Sequence, residues 1–149
     1  MMRAWGSRSG LLLAVVAVLS GCTPTRSTIG GYTSEELAGV AREARDDCEA
    51  RRGAASVPPN PFTTDGCSLW PDCTWQKCCV DHDKWYWCGG SAGDRQKADA
   101  LLRACVARES ATMGDLMWAG VRAGGVPWLP VPWRWGYGWP WPRGYEETR

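Results

Sequence analysis

Cys78-Cys79-Val80-Asp81-His82-Asp83-Lys84-Trp85-Tyr86 holds the only histidine of the 149-residue chain, flanked by two carboxylates and preceded by adjacent cysteines. Imidazole titrates near neutrality, which makes it the natural general base of a protein. A lone histidine is more often packed or solvated than catalytic, so its neighbours decide how it is read. The sequence predicts a helix from about Thr74 to Trp87, stopped by Gly89-Gly90. It predicts another from about Asp94 to Glu109, with Ala98, Leu101, Leu102, Cys105 and Val106 as its apolar stripe. The short connection makes the two helices antiparallel neighbours.

In antiparallel helices, facing residues have nearly constant index sums. The pairs Cys78/Cys105 and His82/Asp99 differ in that sum by two, an offset of about 3 Å at the helical rise. One register can therefore close a disulfide and also bring a carboxylate to the imidazole. Cys78 and His82, at i and i+4, share a face. Asp99 would then fix the imidazole tautomer and stabilise its protonated form. The competing reading leaves Asp99 on a solvated face.

Cys79 can bond Cys67, pinning the Asp65-Gly66-Cys67-Ser68 loop beside the imidazole. Asp83 projects about 100° around the helix from His82 and can face that loop. A carboxylate with loop carbonyls and waters is the oxygen-rich setting that calcium selects, although simple surface charge is the plainer role. Zinc is a rival reading: Cys73, Cys78, Cys79, His82 and Cys88 have suitable atoms but no standard paired spacing.

Outward from this centre, the chain begins with Arg3 and Arg8, an apolar run from Leu11 to Leu19, and Ser20-Gly21-Cys22. That pattern reads as a signal peptide over 1–21, too short for a comfortable membrane span. Leu19-Ser20-Gly21-Cys22 resembles the lipobox of bacterial lipoproteins, with Cys22 as the lipidated residue. The expectation is an exported protein, lipid-anchored in the bacterial cell envelope. Removing residues 1–21 takes away two arginines and no acids, so the formal charge goes from +1 to fifteen basic against sixteen acidic residues. A near-neutral chain argues against a nucleic-acid partner. Eight cysteines in an exported chain imply a disulfide framework. With Cys22 acylated, seven remain, so at least one is unpaired or bonded between molecules.

Residues 22–32 read as a tether. Thr33-Ser34-Glu35-Glu36 fits a capping box, and the helix that follows to about Arg52 places Leu37, Val40, Ala41, Ala44 and Cys48 on one face. Residues 53–61 form a stiff irregular link and Phe62 to Asp72 a turn-rich loop. A further helix over about Ala111 to Arg122 uses Met113, Leu116, Met117 and Val121. The domain thus spans 33–126. From 127 to 149 a Trp/Pro-rich arm follows, with Trp128, Trp133, Trp135, Trp139 and Trp141 interleaved with prolines. It either seats at a membrane–water interface or wraps the core. No alternating strand pattern is found, and the class is mainly α with long loops.

The motif Cys78-Cys79-x-x-His82-Asp83-x-x-Tyr86, followed by Ala98-Asp99 and Cys105, resembles secreted phospholipase A₂. The resemblance covers about residues 62–109. It implies that His82 activates water, that Asp99 and Tyr86 support it, and that Asp83 binds calcium with loop carbonyls such as those of Gly66 and Ser68. It implies bridges Cys67–Cys79 and Cys78–Cys105. Of the three cysteines left, Cys73 and Cys88 flank the histidine helix and can pair, in which case Cys48 is the odd one; the sequence leaves the other pairings open. It further implies calcium-dependent hydrolysis of the sn-2 ester of glycerophospholipids at a phospholipid membrane surface. Two departures stand out. Trp85 occupies a position usually held by cysteine, and the glycine-rich calcium loop is reduced to Asp65-Gly66-Cys67-Ser68. They leave room for a non-catalytic lipid- or protein-binding lipoprotein on the same scaffold, or a purely structural one.

Overall fold

A computed structural model describes residues 32–130 and 144–146. The signal segment, the lipidation site at Cys22, nearly all of the tether and four of the five arm tryptophans lie outside the described residues. The described chain is helical: α1 (Ser34–Arg52), a 3₁₀ turn (Ala54–Ser56), α2 (Gln76–Cys88), α3 (Ala92–Ala107) and α4 (Ala111–Gly124). No strand occurs among the described residues. No helix there is long and apolar enough to cross a membrane.

Local chemistry sets the helix boundaries. The reciprocal Thr33/Glu36 box starts α1, the Glu36 carboxylate accepting from the Thr33 N–H at 2.6 Å and the Thr33 hydroxyl from the Glu36 N–H at 3.2 Å. A second box, Ser91 with Asp94, starts α3 at Ala92 rather than Asp94. Asp94 is thus its third residue, not its first. α2 begins at Gln76, two residues after Thr74, with Trp75 at the cap position and no side-chain cap. At the other end, the Ser110 hydroxyl accepts from the Met113 N–H and opens α4.

Consecutive helices pack in order, α1 on α2, α2 on α3, α3 on α4. The larger core cluster joins Trp75, Cys78 and Cys79 to Leu102, Val106, Met113 and Met117. A second gathers Ala44, Cys48, Phe62, Trp87 and Cys88, with Val40 and Ala41 against it. The α1 face from Val40 to Cys48 therefore packs as its periodicity indicates, while Leu37, a turn earlier, is only half-buried and outside the cluster. Two stripe residues do not: Leu101 and Leu116 are 48% and 49% exposed, since the burying faces of α3 and α4 centre on the Leu102/Val106 and Met113/Met117 rows. Gly114 allows α4 to approach α3 closely, for a Cβ there would lie 2.8 Å from the Arg103 carbonyl oxygen.

Three bridges close among the described residues, and each has an end on α2. Cys78 bonds Cys105, Cys79 bonds Cys67, and Cys48 bonds Cys88. The last corrects the expected Cys73–Cys88 pair. The buried face of α1 carries Cys48 onto the end of α2, where it meets Cys88 in the second core. Cys48 is therefore not the odd cysteine.

Candidate functional site

α2 and α3 hold the site between them. His82 is 8% exposed and Asp99 fully buried, and the imidazole Nε2 lies 2.8 Å from Asp99 Oδ1. Tyr86, one turn beyond His82 and tilted against its ring at 4.2 Å between centroids, donates its hydroxyl to the same oxygen at 2.8 Å. The register that closes Cys78–Cys105 thus also brings His82, Tyr86 and Asp99 together. Burial works to raise the Asp99 carboxyl, but the His82 hydrogen bond and charge, then the bonds from Arg122 and Tyr86, outweigh it. Asp99 is held below the usual carboxylate range and stays ionised. An ionised partner accepts, so Nε2 carries the proton and Nδ1 presents its lone pair. Nδ1 has no hydrogen-bond partner among the described residues and is not sealed from solvent.

Two arginines complete the cluster. Arg95, four residues before Asp99 on α3 and 2% exposed, donates Nε to the Tyr86 hydroxyl at 3.0 Å and Nη1 to the Tyr145 hydroxyl at 2.9 Å. Its Nη2 serves the carbonyls of Val121 and Arg122, the last turn of α4. Arg122 in turn places Nη1 2.8 Å from Asp99 Oδ2. Burial first, and then the charge of Asp99, push the Tyr86 phenol up, so it remains a donor. Gly125 makes room for that phenol, since a Cβ there would sit 2.6 Å from the Tyr86 oxygen. Neither arginine nor Tyr145 figures in the sequence reading. Arg95 carries a signal, being i−4 to Asp99 on one helix face.

His82, Asp83 and Tyr86 line a largely apolar cavity of about 250 Å³, walled opposite by Leu102, Met117 and the end of α4. Gly66, Ser68, Leu69 and Trp70 form its loop side. Leu69, 83% exposed, is the one non-glycine residue with a left-handed φ, 64°, among the described residues. His82 also borders a groove of about 300 Å³ on another side, with Asp81, Trp85, Leu101 and Arg108. Trp85 itself lies under the Arg51 guanidinium, 3.9 Å from the ring centre.

Asp83 is buried, and its carboxylate accepts from the Thr64 hydroxyl at 2.5 Å. That hydroxyl also accepts from the Gly66 N–H at 3.1 Å. Burial pushes the Asp83 carboxyl well up, Thr64 pulls it back, and the nearby charges of Asp65 and Asp72 push it further. Asp72 accepts from the Cys67 N–H at 2.9 Å, and Asp65 from the Ser68 hydroxyl at 2.7 Å. Gly66, at φ 76°, has no room for a Cβ, which would fall 2.6 Å from Asp72 Oδ1. Among the described residues no three His, Cys, Asp or Glu side chains gather into a metal cage. The oxygen donors on this side of the cavity are one buried carboxylate, Asp83, and the backbone of the Asp65-Gly66-Cys67-Ser68 loop beside it, the kind of oxygen atom a hard cation prefers. Zinc has no such set, because Cys78, Cys79 and Cys88 are all in disulfides.

Comparisons with models of known protein families, with curated proteins and with solved structures find no match.

Proposed function

We propose that the protein hydrolyses a carboxylic ester of glycerophospholipids, most simply at sn-2, with His82 as general base. The observation that carries this reading is a buried His82 that is paired with Asp99 behind it and that lines an apolar cavity together with Asp83. His82 Nδ1 takes a proton from water as the water oxygen adds to the ester carbonyl carbon. Asp99, held ionised, stabilises the imidazolium and keeps it oriented. The imidazolium returns the proton to the alcohol oxygen as the carbon–oxygen bond breaks, giving a fatty acid and a lysophospholipid. Asp83, with oxygens of Gly66 and Ser68, would hold calcium, which when bound supplies positive charge to the substrate phosphate and the developing oxyanion. The apolar walls exclude water from an acyl chain.

Exposed Leu69 at the cavity mouth and exposed Trp128 suit contact with a phospholipid surface. A lipid anchor at Cys22 in the cell envelope would hold the domain at that surface.

The test is fatty-acid release from mixed phospholipid vesicles by the oxidised chain, with calcium and then with chelator. Release that needs calcium and is lost in a folded His82→Ala variant is the expected result. A folded, fully oxidised protein that binds the vesicles but releases nothing overturns the reading in favour of a lipid-binding module. Release that ignores chelator keeps the hydrolase and removes calcium from Asp83.

A further inference from the structure

We propose that Arg122 is a positioning residue for the His82–Asp99 pair, an inference that rests on the reading of His82 as the base. A carboxylate turns about one broad terminal torsion, so anchoring one oxygen aims the other. The two oxygens of Asp99 have separate duties. Oδ1 faces His82 Nε2 and the Tyr86 hydroxyl, both at 2.8 Å, while Oδ2 receives Arg122 Nη1 at 2.8 Å. Arg95 Nε is the next cation, 3.7 Å from Oδ2 and spent on the Tyr86 hydroxyl. Arg122 is therefore the group that directly holds the oxygen not used by the imidazole.

The backbone that carries Arg122 is fixed by the helix that carries Asp99. Arg95 Nη2 binds the carbonyls of Val121 and Arg122 at 2.7 and 2.8 Å, where the C-terminal end of α4 favours a cation. A closed circuit results, running from Asp99 along α3 to Arg95, across to the last turn of α4, and back through the Arg122 side chain to Asp99. Opening it at Arg122 frees Oδ2 and lets Oδ1 swing off the imidazole.

The Arg122 side chain is 35% exposed, so it can be replaced without leaving a hole, which is not true of Arg95 at 2%. The experiment compares wild type, Arg122→Gln and Arg122→Lys by kcat and KM on phospholipid vesicles, and by the nitrogen-15 spectrum of the imidazole at one fixed pH. With a single histidine in the chain, that spectrum reports the tautomer of His82 alone. Expected are the Nε2–H form in wild type, a mixture in Arg122→Gln with kcat lower on the order of ten-fold at unchanged KM, and partial recovery of both in Arg122→Lys. An unchanged tautomer in Arg122→Gln overturns the proposal, whether kcat is unchanged or falls. If wild type releases no fatty acid, the hydrolase reading fails by itself, and the tautomer comparison still decides whether Arg122 orients the pair.

Discussion

Replacing Tyr86 by Phe removes one oxygen and almost no volume. That oxygen, 5% exposed as part of its residue, gives a proton to Asp99 Oδ1 and takes one from Arg95 Nε. Both partners are charged, and such bonds contribute about 1.5–3 kcal/mol each. Neither partner is stranded by the change. Asp99 keeps His82 and Arg122, and Arg95 keeps Tyr145 and two carbonyls while lying 3.7 Å from Asp99 Oδ2, close enough to tighten that ion pair. The expected loss is therefore nearer one such bond than two, about 2–3 kcal/mol. For a domain of this size that lowers Tm by roughly 10–20 °C. Urea unfolding with disulfides intact measures it directly, with the midpoint falling at unchanged slope. Activity should persist at a reduced kcat, since His82 and Asp99 still touch. A loss below about 0.5 kcal/mol, the range of ordinary surface substitutions, would refute the idea that this phenol joins the two charges.

Two other perturbations separate charge from bracing. Asp83 has its carboxyl pushed up in the folded state, so between its unfolded value near 4 and the folded one the native state holds the extra proton. Without calcium, stability should fall as pH rises through that window, by up to about 1.4 kcal/mol per pH unit; urea midpoints from pH 4 to 7 should show this decline in wild type and lose it in Asp83→Asn, along with any rise in Tm on adding calcium. Cys48–Cys88 joins residues 40 apart in sequence, and its removal in the Cys48→Ser/Cys88→Ser variant should cost roughly 4 kcal/mol in the chain-entropy model, seen as a lowered urea midpoint, with fatty-acid release retained at 25 °C.

What was legible in the sequence was local or one hairpin away. The Thr33/Glu36 box lies within four residues, and the pairing of His82 with Asp99 follows from two helices joined by a glycine turn. The same antiparallel reasoning, carried one connection further to α3 and α4, sets Arg122 opposite Asp99. Other partners gave less notice. Cys48 reaches Cys88 across an irregular link whose path has no period, and Tyr145 meets Arg95 from 50 residues further along the chain. The Thr64 hydroxyl on Asp83 depends on a loop geometry that composition does not specify. Helical periodicity also overcounts: it places Leu101 and Leu116 inside, where the packed rows leave them half in water.

The adjacent cysteines of α2 have a consequence for how the protein must be made. Cys78 and Cys79 point about 100° apart around the helix and bond in different directions, to α3 and to the loop. If oxidation exchanged their partners, no single roll of α2 would satisfy both bridges, and the roll that turns Cys79 to α3 would carry Cys78 farther from the loop and His82 away from Asp99. The isomer would have the same mass and no free thiol gained or lost, and only thiol–disulfide exchange would convert it. Connectivity, not the number of bridges formed, therefore sets the fraction of molecules in which His82 meets Asp99, and a peptide map distinguishes them where a count of thiols does not.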